Sequence, residues 1–344
     1  MKRIQAIDIL RGATVALMVL VNNPGSWASA WAPLKHADWN GLTLADLVFP
    51  LFLFVMGVSM YFSMHKGGFK LSWKLLKRTL MLIAIGLALN WIGEIIWAHS
   101  FSLSTLRLTG VLQRFGLCFG ISALLVCLLP HKSLPWVAGG ILAAYSAILL
   151  TGNGYAYSAD NIIAKFDGAL IPAAHLYLDN GIDPEGILGT LPCIAHTLIG
   201  FLIGKLIYER KEKGTGITGA VLLAVGLLIS IWMPLNKKIW SPSFVLVLCG
   251  LGALLLCAIY YLVDEKRIWT RSGFFRAFGT NAIYCYVMGH VVAWIMDGSG
   301  FHHWYATSLA STSPWLSFAY AVACVLLVWL SVLPLQRRGI FLKL

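Results

Sequence analysis

An all-α, polytopic transmembrane helical bundle of about 10 spans, with both termini cytoplasmic, is the fold class that three observations predict. Hydrophobic residues make up 59% of the 344-residue chain and charged residues only 12%, against about 25% charged in soluble domains, and the mean hydropathy is +0.78. Apolar stretches of about 17 to 23 residues recur almost end to end, the length a helix needs to cross a hydrocarbon core of about 30 Å and unlike the alternating strands of about 10 residues in a β-barrel. The third observation is that lysine and arginine are distributed unevenly between alternate loops.

Hydropathy places the spans at roughly 6–23, 44–64, 78–97, 109–129, 135–151, 187–207, 215–233, 243–263, 275–296 and 314–334. The first opens behind Lys2 and Arg3 like a signal peptide, but Asp8 and Arg11 interrupt it and no small-residue cleavage site follows, so it is expected to stay as a membrane helix. The second follows the polar stretch "LKHADWNGLTLADLVFP" (34–50). The third carries Asn90 and Glu94 one turn apart, and Gln113 and Arg114 enter the fourth. "DPEGILGT" (183–190) leads into the sixth, either as a capped helix entry or as a ligand clamp. Asn281 and His290 lie in the ninth, spaced to line one groove. No connecting loop is large enough for a separate core, and the chain is expected to form one domain over 1–344. No internal repeat stands out.

With the N-terminus inside, the start through Arg11, the 65–78 loop, Lys132, the 205–213 and 266–276 regions and the C-terminal tail hold about 20 of the 26 lysines and arginines. The formal charge of +12 thus belongs to inner loops and implies no nucleic-acid partner. The outer loops carry Asp38, Asp160, Asp167, Asp179, Asp183 and Glu185 among Trp, Tyr and Asn. Such a mouth suits a neutral or cationic, hydroxyl-rich ligand, since aromatic rings stack on sugar faces and carboxylates hold an ammonium group; an interfacial aromatic belt with solvated acids is the plainer alternative. Seven cysteines in or beside apolar segments, with no CxxC pair, read as packing residues.

Polar groups at the edge of a membrane are costly and mark candidate sites. His36 lies just past the first span near Asp38, Trp39, Asn40 and Asp46, where an imidazole can take a proton from a nucleophile near neutral pH or simply hold a loop by hydrogen bonds. Asn22 and Asn23 end the first span, either as donors to a developing oxyanion or as a helix exit before Pro24 and Gly25. Asp46 either caps the second helix or pairs with a base. Arg114 requires an anionic partner if buried. The nucleophile elbow G-x-S-x-G, the phosphate loop GxxxxGK[ST] and the zinc helix H-E-x-x-H are missing. His302 and His303 are adjacent, so a helix points them about 100° apart, and no metal site is expected.

Six blocks carry a resemblance to a known family: "IDILRGATVALMVLVNNPG" (7–25), "LKHADWNGLTLADLVFPLFLFVMGVSM" (34–60), "GVLQRFG" (110–116), "DPEGILGT", "NKKIWSPSFV" (236–245) and "NAIYCYVMGH" (281–290). In this order they resemble the heparan-α-glucosaminide N-acetyltransferase family, and the "IDILRG" start is also similar to the wider acyltransferase-3 group, which tends to place a histidine where this chain has Asn22. Without the extra N-terminal luminal region of animal lysosomal members, the chain is expected to be the compact bacterial form, a multi-pass protein of the cytoplasmic membrane. The resemblance implies transfer of acetyl from cytoplasmic acetyl-CoA to the amine of a glucosamine-type sugar across the membrane, with His36 as the family's histidine and Asn22 as its asparagine, and it implies a homodimer by analogy with human-type relatives. On that picture Arg11, Arg78 and Arg276 meet the CoA phosphates, the pantetheine arm passes Arg114, Asn281 and His290, and Asp38, Trp39, Asn40, Asp183, Glu185, Asn236 and Trp240 are the acceptor candidates. The alternatives are a secondary transporter of amino sugars, which predicts interrupted helix pairs, and a membrane O-acyltransferase of envelope glycans.

Overall fold

The computed structural model describes residues 4–269 and 272–342; Lys2 and Arg3, which flank the first predicted span, lie outside them. The described residues form thirteen α-helices: α1 (Gln5–Asn22), α2 (Leu44–Lys66), α3 (Trp73–Ala98), α4 (Val111–Leu128), α5 (Leu134–Thr151), α6 (Ile162–Leu170) and α7 (Thr190–Tyr208). After these come α8 (Glu212–Ile229), α9 (Pro242–Tyr260), α10 (Gly273–Thr280), α11 (Ala282–Gly298), α12 (Phe301–Ser308) and α13 (Pro314–Arg337). Nine of the helices in the described residues are long and apolar enough to cross a membrane, α9 being extended to Glu265 by a π turn, and α11 is a shorter apolar helix. The chain is a polytopic helical membrane protein, as hydropathy predicts, because in hydrocarbon a spanning segment must satisfy its backbone internally.

The predicted ninth span is the exception. It is two helices, α10 and α11, broken at Asn281 (φ −125°, ψ 44°). Two short helices, α6 and α12, also fall in connections between the predicted spans. In α6 the N-cap Asn161 accepts from the Ile163 amide at 2.9 Å and its own amide holds the Gly154 and Ala156 carbonyls at 2.6 and 2.8 Å, so a single buried side chain organises the turn before the helix.

Two compact units are present, and each has its own core. The first comprises the described part of Met1–Ala37, Leu42–Phe52 and Leu255–Lys343. Here α1 packs against α10, α11 and α13. The α1–α10 crossing depends on glycine: a Cβ at Gly12 would stand 1.8 Å from the Phe275 carbonyl oxygen, and one at Gly279 1.7 Å from that of Asp8. Small residues at membrane helix crossings let backbones approach in this way. Around the crossing lie Val15, Val19, Phe278, Cys285, Cys324 and Val328. The start of α1 is capped from a distance, as the Asp264 carboxylate accepts from the Gln5 and Ala6 amides at 2.9 and 2.8 Å.

The second unit comprises Asp38–Gly41 and Leu53–Leu254. Its centre is α7, buried along most of its length and packed against α4, α5 and α8. The later part of α2 meets α7 through Gly57 and Gly200, where a Cβ would stand 2.2 Å from the Thr197 oxygen and 2.5 Å from the Phe54 oxygen. By contrast α3, α5 and α8 leave much of their apolar surface uncovered, including Leu80, Trp136, Ile217 and Leu228, as lipid-facing helices do. All seven cysteines are free thiols.

Candidate functional site

The first unit builds its polar centre from the stretch between α1 and α2. Val21 at the end of α1, Ala45 and Val48 at the start of α2, and Leu34 pack into one apolar cluster. That cluster holds the neighbours of three sequence-predicted residues, Asn22, His36 and Asp46, at one end of the unit. A short 3-10 turn at Ala32–Leu34 then delivers the chain to His36.

His36 and Asp46 form a pair, with Nδ1 of the imidazole 2.8 Å from Oδ1 of the carboxylate. The histidine side chain is 41% exposed and the aspartate 1%. The other carboxylate oxygen, Oδ2, accepts from the Ala37 amide at 3.1 Å, the Thr43 amide at 3.2 Å and the Thr43 hydroxyl at 2.9 Å. Asp46 is the third residue of α2 and Thr43 directly precedes the helix, so the carboxylate reaches back to the chain entering α2, one half of a capping box. Asp46 thus bonds the chain that enters α2 through one oxygen and the His36 imidazole through the other. A carboxylate on Nδ1 fixes the tautomer that carries the basic lone pair on Nε2. Asn22, the last residue of α1, is exposed, whereas Asn23 turns back to donate to the Val19 carbonyl at 2.7 Å.

In the second unit, Asp38–Gly41 is held by outer-loop side chains. Trp39 donates from Nε1 to the Tyr155 carbonyl at 2.9 Å and stacks on Tyr157, with ring centroids 4.6 Å apart and planes 22° apart. Lys238 Nζ donates to the Asp38 carbonyl at 2.6 Å, ion-pairs with Asp179 at 2.5 Å and lies over the Tyr157 ring. Asn236 donates to the Asn40 side-chain oxygen at 3.1 Å and Gly41 donates to the Leu235 carbonyl at 2.8 Å. Burial opposes charge on Asp179, but its bonds from Lys238 and Tyr157 prevail and hold the carboxyl below its usual range. Burial likewise opposes charge on Lys238, and the same bond to Asp179 carries its ammonium above its usual value. Desolvation pushes the Tyr155 hydroxyl up to about 12. Asp38 and Asn40 stay exposed and Trp39 is half-buried, so these three form the accessible part of the platform.

Four other acceptor candidates are committed elsewhere. Asp183 is fully buried and accepts from Arg107 Nη2 (3.0 Å), the Thr109 hydroxyl, the Tyr177 amide (3.0 Å) and the Glu185 amide (2.8 Å). Glu185 takes the same guanidinium nitrogen at 2.7 Å. The start of "DPEGILGT" thus holds an internal ion cluster at a helix entry. Asn236 is buried and accepts from the Ile239 amide at 3.1 Å in its own turn. Trp240 is 1% exposed, placed in the core by a left-handed backbone turn (φ 52°), with its ring 5.5 Å from Phe244 and 6.0 Å from His196. A non-glycine residue there is uncommon, and a bulky one is held only by its surroundings. Of the four, Asp183, Asn236 and Trp240 are buried, and the Glu185 side chain is 14% exposed.

The donor-side candidates divide similarly. Arg114 is buried and donates to the Gly186 carbonyl at 2.7 Å, with its guanidinium 5.7 Å from the Trp240 ring centroid. Its direct partners are that carbonyl, the Cys193 sulfur at 3.8 Å and an aromatic face. Asn281 is consumed by the C-terminal tail, donating to the Ile340 carbonyl at 3.2 Å and accepting from the Leu342 amide at 2.8 Å. Arg11 donates to Asp8 at 3.2 Å and to the Gly279 carbonyl at 2.9 Å, and Arg78 lies 4.5 Å from the centre of the Phe119 ring. Arg276 is half-buried on α10. His290 stands between Tyr286 and Trp294 in a ladder of rings along α11, at 5.0 and 6.0 Å. Asn90 and Glu94 bind the 105–109 loop rather than each other: Asn90 donates to the Arg107 and Thr109 carbonyls at 2.8 and 2.9 Å, and Glu94 accepts from the Thr105 hydroxyl. Among the described residues, no three of His, Cys, Asp or Glu are grouped to hold a metal.

What the sequence reading missed is the supporting cast of Thr43, Tyr155, Tyr157, Asp179 and Lys238. Thr43 was legible, as a threonine three residues before an acid at a helix start. Tyr155, Tyr157 and Lys238 meet the 38–41 segment across more than 110 residues of chain, and Asp179, read only as one acid of the outer mouth, acts through Lys238 and Tyr157; no local signal marks these pairings.

A many-span helical membrane protein with a carboxylate-oriented histidine between its first two helices is the class that fold and site define. A family model described as "Heparan-alpha-glucosaminide N-acetyltransferase, catalytic" matches residues 3–231. The chain belongs to that family. It is 29% identical to heparan-alpha-glucosaminide N-acetyltransferase of Homo sapiens and 28% identical to that of Mus musculus, each over 95% of this chain and 60% of the relative. The chain thus spans about three-fifths of the length of these curated relatives.

Proposed function

We propose that the protein is a transmembrane N-acetyltransferase that moves acetyl from cytoplasmic acetyl-CoA to the amine of a glucosamine-type sugar on the other side of a bacterial cytoplasmic membrane. The observation that carries this reading is the His36–Asp46 pair, set within the matched family region and half open while its carboxylate is sealed. Family membership supports the reaction, and the basic loops on one side of the predicted topology support the sidedness.

The chemistry assigns each group a step. As the amine nitrogen bonds to the thioester carbon, His36 Nε2 takes a proton from that nitrogen, and the Asp46 carboxylate stabilises the imidazolium that results. Asn22 donates to the tetrahedral oxygen. Collapse breaks the carbon–sulfur bond, and the thiolate leaves with the proton returned by His36. In the competing route His36 Nε2 attacks the thioester carbon and the carbon–sulfur bond breaks to release CoA as its thiolate; the amine then attacks the acetyl-imidazole, whose carbon–nitrogen bond breaks to free the imidazole, and the amine proton passes to the departing thiolate or to solvent. The exposed Asp38, Trp39 and Asn40 are the acceptor-facing residues, with Asp38 drawing the ammonium form of the amine and the Trp39 ring covering a sugar face. On the donor side, Arg11, Arg78 and Arg276 remain the candidates for the CoA phosphates.

The test uses protein in liposomes with acetyl-labelled acetyl-CoA, offering glucosamine, a glucosaminyl disaccharide and a sugar bearing only hydroxyls. Label on the amines in the wild type, lost in His36→Ala, is the expected result. Label on the hydroxyl-only sugar would instead favour an O-acyltransferase. The break between α10 and α11 is a feature that favours a transporter. Uptake of amino sugar into vesicles without acetyl-CoA, and no transfer, would replace the enzyme reading with that one.

A further inference from the structure

The start of α2 departs from an ordinary capping box in one bond. In such a box the hydroxyl of the N-cap residue accepts from the backbone amide three residues on, while the acid there reaches back to the N-cap amide. Thr43 directly precedes Leu44, the first residue of α2, and Asp46 is the third residue of that helix. The acid behaves as expected, with Oδ2 accepting from the Thr43 amide at 3.2 Å. The threonine does not. The Asp46 amide goes to the Thr43 carbonyl at 3.1 Å, and the Thr43 hydroxyl is turned onto the Asp46 carboxylate at 2.9 Å.

That hydroxyl is therefore spent on the group that faces His36. Oδ2 takes it together with the Ala37 amide at 3.1 Å, and Oδ1 lies 2.8 Å from His36 Nδ1. The carboxylate thus grips the histidine ring through one oxygen and the next peptide of the same loop through the other. A carboxylate turns easily about its last bond, because a torsion between a tetrahedral and a planar carbon has broad, shallow wells, so its hydrogen bonds set its angle. The two backbone donors persist when residue 43 changes to another L-residue with an amide N–H; the hydroxyl is the donor that the residue type decides.

We propose that Thr43 is a positioning residue for the transfer: its hydroxyl fixes the Asp46 carboxylate in the orientation that meets His36 Nδ1 and so aims Nε2 at the reacting amine. This inference rests on the N-acetyltransferase reading above and gives residue 43 a part in the chemical step besides the start of a helix. A base oriented by a third group, itself held by a further hydrogen bond, is how a reactive geometry is kept on an otherwise open loop. Because Thr43 acts through Asp46, its effect falls on turnover and not on the binding of either substrate.

Steady-state transfer from acetyl-CoA to glucosamine, read as kcat and both KM values, tests the assignment. Thr43→Val removes the hydroxyl and keeps the branched shape, and kcat should fall about tenfold, the scale of one hydrogen bond, with both KM values unchanged. Thr43→Ser returns the hydroxyl and should bring kcat back towards the wild type. Thr43→Ala keeps the test open where valine strains the turn. In an Asp46→Ala background, adding Thr43→Val should lower kcat no further, since the hydroxyl has lost the group through which it acts. Wild-type turnover in Thr43→Val and Thr43→Ala, a fall that Thr43→Ser does not relieve, or the same fold loss in the Asp46→Ala background would overturn the assignment while leaving the transferase intact. A wild type that acetylates no amine would remove the N-acetyltransferase reading, and the role of Thr43 with it.

Discussion

The His36–Asp46 pair and the Arg107–Asp183–Glu185 cluster look alike in sequence, as charged residues at the mouth of an apolar run, yet they are opposite kinds of object. In the first, a sealed carboxylate stands behind a ring that is 41% exposed. In the second, Asp183 is fully buried and takes two side-chain and two backbone donors, while Arg107 also takes Glu185. A carboxylate closed in by buried donors holds structure; one that stands behind a half-open imidazole is the arrangement the proposed transfer needs. Which side of the comparison a residue falls on is decided by what remains accessible after the chain has satisfied itself.

The largest effect should come from the open side. His36→Ala should lower transfer by about 10²- to 10⁴-fold, the range a positioned general base supplies, with the thermal midpoint and acetyl-CoA binding little changed. Transfer at the wild-type rate would break the comparison outright. The closed side comes next. Asp183→Ala should destabilise the protein by about 3–5 kcal/mol, because it leaves the Arg107 charge without its buried partner and orphans two backbone donors. Detergent thermal denaturation reads this as a loss of folded protein, and any protein that remains should keep its acceptor KM. A raised KM in a fully stable variant would move Asp183 into the acceptor site.

Asp46→Asn sharpens the contrast, since it keeps the shape and removes the charge. The amide can still accept from the Thr43 and Ala37 amides, so the helix start should lose only about 0.3–1 kcal/mol of charge–dipole stabilisation. The imidazolium, however, loses its counter-charge, and kcat should fall about 10²-fold, the lower end of general acid–base effects, at constant KM for both substrates. A stability loss as large as that of Asp183→Ala, with kcat unchanged, would make Asp46 a cap and nothing more.

How legible these differences were depends on distance along the chain. Spans are set by composition averaged over some twenty residues, so the long helices could be read directly. The break at Asn281 could not, because one amide bonding to Ile340 and Leu342, about sixty residues away, leaves no trace in a hydropathy average. His36 and Asp46 are ten residues apart and were visible as one polar stretch. Arg107 and Asp183 are 76 apart, and sequence alone could not show that they satisfy each other. Trp240 reads as a mouth aromatic from its position in a loop, but its left-handed turn sends the ring inward.

The smallest expected effect lies on the platform under Trp39, where the Lys238–Asp179 pair is partly open, with side chains 18% and 25% exposed. Its pH dependence follows from the directions of the two shifts. The folded Asp179 value is depressed, so its contribution is present above the unfolded carboxyl value of about 3.9 and is lost as pH falls through the lower folded value. The folded Lys238 value is raised, so its contribution is present below about 10.4 and is lost as pH rises through the higher folded value. Between those limits Asp179→Asn should cost at most about 1 kcal/mol, the scale of a partly screened pair, and the difference between variant and wild type should shrink below about pH 4 as the wild-type carboxylate protonates. Because the Asp179 pairing also holds the lysine that grips the Asp38 carbonyl, the same variant should raise the acceptor KM slightly at neutral pH without touching kcat. A fall in kcat instead would mean that the platform positions the reacting groups, and it would place Lys238 on the chemical side of the comparison.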